Sequence, residues 1–177
     1  MRFIILWMLL WAQPSFAQGP SAPVNSDIII GPCDGSTDLT SKINAALSSL
    51  SGTGGAITFQ AGKCVINSTI TYSYPSTQKF SVTFAGAGKN ATYLYWPSVD
   101  GMVITVAHAS QTIRFRELRL ITGTTGKTGV KIIQTFYASD VEQYDFRDMY
   151  FAGVDESTTN VDYWAYIIKI QNWPDFD

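Results

Sequence analysis

Apolar and polar positions alternate along this chain with two different periods, and the change from one to the other marks its organisation. Leu39, Ile43, Ala46, Leu47 and Leu50 recur at the spacing of one helical face. Thr37 is read as the N-cap, Asp38 favours the positive end of the helix dipole, and Gly52, Gly54 and Gly55 end the helix. Asp27 to Gly31 before it reads as a short strand. Ala56 to Phe59 after it alternates as a strand, Ala61-Gly62-Lys63 turns, and Val65-Ile66 resumes extended structure.

Beyond Asn67 the helical period is lost. Short β-prone runs follow, separated by Gly, Pro, Ser and Asn: Ile70 to Tyr72, Phe80 to Phe84, Thr92 to Trp96, Met102 to Val106, Ile113 to Ile121, Val130 to Ile133, Phe146 to Phe151 and Tyr166 to Ile170. Such a series predicts a sandwich, a barrel or a β-solenoid. An internal repeat favours the solenoid. Ile113 to Leu120 aligns with Tyr144 to Phe151 at a shift of 31, and another step of 31 back places Phe84 under Phe115. Gly101 to Ile104 recurs as Gly129 to Ile132 at a shift of 28. Repeats of this length mark stacked units that bury their apolar faces against one another.

The segment Asp34-Gly35-Ser36-Thr37-Asp38-Leu39-Thr40, followed by Ile43, Ala46-Leu47 and then Gly54-Gly55-Ala56-Ile57-Thr58-Phe59-Gln60-Ala61-Gly62-Lys63, resembles the entry motif of pectate lyase superfamily proteins. That motif reads D-G-x-T-D-D-T, an amphipathic helix, a Gly-rich bend and F-P-A-G-x-Y. The departures are Leu39 for the second Asp, Gln60 for Pro and Cys64 for the aromatic. Val82 to Gly88 with Thr92 to Trp96 is similar to the family's first full coil. The resemblance implies an all-β, right-handed, single-stranded parallel β-helix with an N-terminal capping helix. About three coils are expected before the sequence closes at Asp177, and so a solenoid truncated relative to that family. Phage tailspikes share the entry motif, which adds an adhesion module to the functions implied.

The N-terminus changes the compartment. Arg2, the apolar run Phe3 to Ala12 and Ser15-Phe16-Ala17 read as a signal peptide cleaved after Ala17. The run is too short for a bilayer span, which needs roughly 20 residues. The expected organisation is a signal peptide over 1–17, a flexible leader over 18–26 and the β-helix domain over 27–177, in a secreted or periplasmic protein with no membrane partner after cleavage. Cleavage removes Arg2 and takes the net charge from −2 to −3. In an oxidising compartment the even cysteine count favours a disulfide between Cys33 and Cys64; the alternative is two buried thiols. Charged residues make up only 15% of the chain and form no basic stripe, which argues against nucleic acid. Oligomeric state is not legible.

Candidate chemistry follows from the repeat and the aromatics. A shift of 31 stacks Glu117 on Asp148 and Arg116 on Arg147, and paired carboxylates are what glycoside hydrolysis requires. A charged edge ladder accounts for the same residues. Asp145, Asp155 and Glu156 have no predicted partner. Tyr93, Tyr95 and Trp96 are candidates for stacking on sugar rings, as are Trp164 and Trp173, with core packing the competing reading. No structural metal or other cofactor is expected. Calcium enters only for a lyase, which needs converging acidic oxygens and a base such as Lys131 or Arg147. Gly86 to Ala91 imitates a dinucleotide loop but opens no helix, and Gly126-Lys127-Thr128 lacks the earlier P-loop glycine, where Ile121 stands. His108 is the sole histidine, and no Ser or Cys nucleophile has an arguable partner, which argues against a nucleophilic triad. Asn67-Ser68-Thr69 and Asn90-Ala91-Thr92 are glycosylation sequons. The expectation is a protein acting on or binding an acidic polysaccharide, with little turnover by itself. If it is an enzyme, it is a polysaccharide lyase or glycoside hydrolase. The alternatives are a non-catalytic glycan-binding or structural solenoid and a tailspike-like adhesion module.

Overall fold

The structure, a computed structural model, describes residues 26–75, 80–108, 110–135, 143–154 and 163–172. The signal segment, the leader up to Asn25, Asp155, Glu156 and Trp173 lie outside the described residues. An entry layer of β1 (Ser26–Ile30), β2 (Cys33–Asp38) and α1 (Thr40–Leu50) precedes four three-strand coils. These are β3 (Gly55–Phe59), β4 (Gly62–Val65) and β5 (Ile70–Ser73); β6 (Val82–Ala85), β7 (Thr92–Trp96) and β8 (Met102–Val106); β9 (Thr112–Arg116), β10 (Arg119–Thr122) and β11 (Lys127–Gln134); and β12 (Gln143–Arg147), β13 (Tyr150–Gly153) and β14 (Trp164–Asn172).

Each coil contributes one strand to each of three sheets. Sheet A runs β1-β3-β6-β9-β12, sheet B β2-β4-β7-β10-β13 and sheet C β5-β8-β11-β14, and the paired strands are parallel. The chain is therefore a parallel β-solenoid with four coils where the sequence reading expected three. The predicted repeats are its registers: Ile113 pairs with Tyr144, Phe84 with Phe115, and Met102 with Val130.

Stacking follows from the alternation. Inward residues line up coil over coil, as Cys64, Leu94, Leu120 and Phe151 do in sheet B. In sheet A, Phe84, Phe115 and Phe146 stack nearly parallel at 4.9 and 5.1 Å between ring centroids, close to the strand spacing of about 4.8 Å. The buried phenol of Tyr74 donates to the Thr112 carbonyl at 3.0 Å and accepts the Val82 N–H at 3.1 Å, fixing the passage from sheet C to sheet A.

The entry layer closes the stack. Leu39, Ile43, Ala46, Leu47 and Leu50 are buried, and α1 lies against β1, β3 and β5. Its start differs from the predicted one. Thr37 belongs to β2, and the Asp38 carboxylate accepts the Thr40 N–H at 3.0 Å and the Thr40 hydroxyl at 2.6 Å. Thr37 instead donates its N–H and its hydroxyl to Asp34 at 2.8 and 2.7 Å. At the other end Gly54, at φ 70°, donates its N–H to Leu50 and turns the chain into β3. A disulfide joins Cys33 to Cys64 and ties β2 to β4. Gly62 stands beside it at φ 120°, where an added Cβ would strike the Cys33 carbonyl.

Candidate functional site

Outward residues on the walls carry the chemistry. From β3 to β14 the strand residues include the cations Lys63, Arg114, Arg116, Arg119, Lys127, Lys131, Arg147 and Lys169, against the single acid Asp145. Every one of these cations is half-buried or exposed. The remaining described acids lie in the entry layer, at Asp100, or at the corner that joins sheet A to sheet B. Wall and corner thus differ in sign, although the whole chain is close to neutral.

Glu117 and Asp148 occupy that corner, one coil apart, and both carboxylates are exposed. They take left-handed backbone conformations, φ 57° and 50°, that turn the chain sharply from one sheet to the next. The corner is held by the backbone: the Glu117 N–H donates to Arg147 at 3.0 Å, and the Gly88 N–H donates to Glu117 at 3.2 Å. Both side chains line a recess of ≈ 450 Å³ that also holds Lys89 and Asn90. The predicted pair is therefore brought together, at an open corner.

Arg116 and Arg147 also stack as predicted, with a partner the sequence did not reveal. The Asp145 carboxylate accepts from Arg116 at 2.9 Å and from Arg147 at 2.8 Å. The Arg116 hydrogen bond is the main cause of its depressed pKa, with Arg147 adding to it. Asp145, for which the sequence predicts no partner, is thus a strand residue with both oxygens engaged.

The aromatic candidates separate by strand parity. Tyr93 and Tyr95 face outward on sheet B, whereas Trp96 faces inward, is fully buried and meets Trp164 edge-on at 6.1 Å. Trp96 is a core residue, out of reach of a surface ligand, and the buried Trp164 belongs with it. The outward tyrosines are joined by cations that sequence reasoning did not connect to them. Lys63 Nζ lies 3.8 Å from the centre of the Tyr95 ring, and the Arg119 guanidinium sits between Tyr93 and Tyr150 at 5.3 and 4.4 Å. These are cation–π contacts in which each charge is held over aromatic surface. Lys63, Tyr93 and Arg119 line a second recess of ≈ 360 Å³ with Ile121 and Val154. The missed signal was the coincidence of strand parity with register.

Among the described residues no three of His, Cys, Asp and Glu come together as a metal-binding group. No helix among them is long and apolar enough to cross a membrane. Comparison with protein-family models, curated proteins and solved structures finds no match.

Proposed function

We propose that this chain is an exported β-helix protein of pectate lyase superfamily type that binds an acidic polysaccharide along its walls. The observation that carries the reading is the sign of the walls, eight strand-borne cations against one carboxylate from β3 to β14. Two of those cations are held on tyrosine rings in sheet B. A rigid parallel sheet repeats its side chains about every 4.8 Å. Such a surface matches a polymer that repeats its own charges, and cation–π contacts restrict the motion of the cations before any ligand arrives. The signal peptide, the disulfide and the entry motif support export and family. The right-handed sense follows the general rule for parallel crossovers.

Binding is preferred to turnover because Glu117 and Asp148 sit at an open corner whose backbone requirement accounts for their stacking. A hydrolytic reading has one observation of its own, the recess these two carboxylates share with Lys89. The test is retention of the mature protein in gels containing polygalacturonate, rhamnogalacturonan, bacterial exopolysaccharides or a neutral glucan. Reducing ends and unsaturated products are measured in parallel, with and without calcium. The reading expects retention by an acidic polymer, release in about 1 M salt, where the screening length falls to about 3 Å, and no product. Equal passage through acidic and neutral gels contradicts binding. Product that disappears in Glu117→Ala and Asp148→Ala moves the protein to the enzymes.

A further inference from the structure

Sheet A brings together a set of groups that includes one of the wall cations, Arg114, away from both recesses described above. Asp27, Ala56, Thr83 and Arg114 share one register position on β1, β3, β6 and β9. Their strand neighbours Ile57, Phe84, Ile113 and Phe115 are fully buried, so this row faces outward. The two middle members are short. The row is therefore a trough with a carboxylate at one end, a guanidinium at the other and a methyl and a hydroxyl on its floor. Three strand steps separate the ends, about 14 Å between backbones. Phe80 and Ser81 form a side wall, and the open recess between them and the row is ≈ 260 Å³.

The guanidinium differs from its neighbours. Arg116 and Arg147 share Asp145, whereas the Arg114 side chain makes no hydrogen bond or ion pair with any described residue. Its own cross-strand neighbour on β12 is that same Asp145, whose two oxygens are turned to the other two arginines, at 2.9 and 2.8 Å. Arg114 thus offers donors toward the trough, next to the Thr83 and Ser81 hydroxyls. Asp27 supplies only acceptors, so the far end favours hydroxyl groups and disfavours a second negative charge.

We infer that this trough binds a single acidic sugar unit, a hexuronate. Its carboxylate lies on Arg114, its hydroxyls face Asp27 and Ser81, and its ring C–H face rests on Phe80. The choice of a sugar among carboxylate ligands rests on the acidic-glycan reading above. The one-charge polarity of the trough does not. A phosphate or sulfate ion would satisfy Arg114 and leave the Asp27 end unused.

The experiment is a calorimetric titration of the mature protein with the methyl glycoside of a hexuronic acid, the matching neutral methyl hexoside, and inorganic sulfate. Arg114→Gln removes the charge, Thr83→Trp fills the trough from an outward position, and a thermal melt confirms that each variant is folded. Uronate is expected to bind and the neutral sugar and sulfate to bind at least about tenfold more weakly. Arg114→Gln is expected to lose about tenfold or more, the scale of a charge-assisted hydrogen bond, and Thr83→Trp to abolish binding. Absence of uronate binding, sulfate binding as tight as uronate, or affinity unchanged in both folded variants overturns the inference. Polymer retention that persists in Arg114→Gln without uronate binding sinks the trough and leaves the polysaccharide reading standing. Uronate binding in the trough without retention by any acidic gel does the reverse.

Discussion

At the residue scale, the carboxylates that shape the fold are held in their charged form. Asp34 lies well below the usual carboxylate range because it accepts the Thr37 and Ser36 N–H groups. Asp38 is lowered chiefly by the Thr40 hydroxyl and N–H, and Asp145 by Arg116 and then Arg147. A folded pKa below the unfolded value gives stability that is fully present above the unfolded pKa, about 3.9 for Asp. That stability is lost as pH falls through the folded value. Thermal melts are therefore expected to be level from neutrality to about pH 5 and to fall below about pH 4. Asp34→Asn is expected to flatten that acid limb; an unchanged limb would mean Asp34 is not coupled to folding. The corner gives a second residue-scale prediction. Glu117 stands at φ 57°, where a glycine is unstrained and a β-branched side chain is not. Glu117→Gly is expected to leave the melting temperature nearly unchanged, because relief of strain offsets the greater chain entropy. Glu117→Val is expected to lower stability by about 1–2 kcal/mol, measured by urea unfolding.

At the element scale, the disulfide fastens the entry layer to the first coil across a separation of 31 residues. The chain-entropy relation gives about 3–4 kcal/mol for a loop of that length. The Cys33→Ser, Cys64→Ser double variant is expected to lose stability on that scale by denaturant titration, and a loss under about 1 kcal/mol would contradict it. The elements also show what the sequence could reveal. Strands β7 and β8 were legible to the residue, because alternation and flanking Pro and Gly agree. The run Ile113 to Ile121 reads as one strand but is two, β9 and β10, since the bend between them uses Glu117 in a left-handed conformation and no Gly or Pro marks it. Strand β2 escaped notice because Asp34 to Asp38 is polar throughout and pairs with β4 through an irregular register. For Trp96 the core reading holds over the sugar-stacking one, because Thr92, Leu94 and Trp96 share one parity and Tyr93 and Tyr95 the other. The trough on sheet A was beyond sequence reading. Its members are separated by unequal intervals and meet only when four strands adopt one register.

At the scale of the whole molecule, each coil packs chiefly on its neighbours, so stability is distributed along the stack. The fully buried side chains extend from Leu39 to Ile132, while Tyr144, Phe146, Met149 and Phe151 are only partly buried and Tyr150, Tyr166, Ile167 and Ile170 are exposed. Amide hydrogen exchange is expected to be slowest in β3, β6 and β9 and fastest in β12 and β13. Uniform protection across the four coils would contradict that gradient. The same stack gives the walls their excess of cations, on which the proposed function rests. Affinity electrophoresis of the mature protein tests that claim most directly, comparing polygalacturonate with the same polymer after its carboxylates have been reduced to neutral alcohols. Retardation by the acidic polymer is expected, weakened in Lys63→Ala and removed by high salt, with free passage through the neutral one. Equal mobility in the two gels would contradict it.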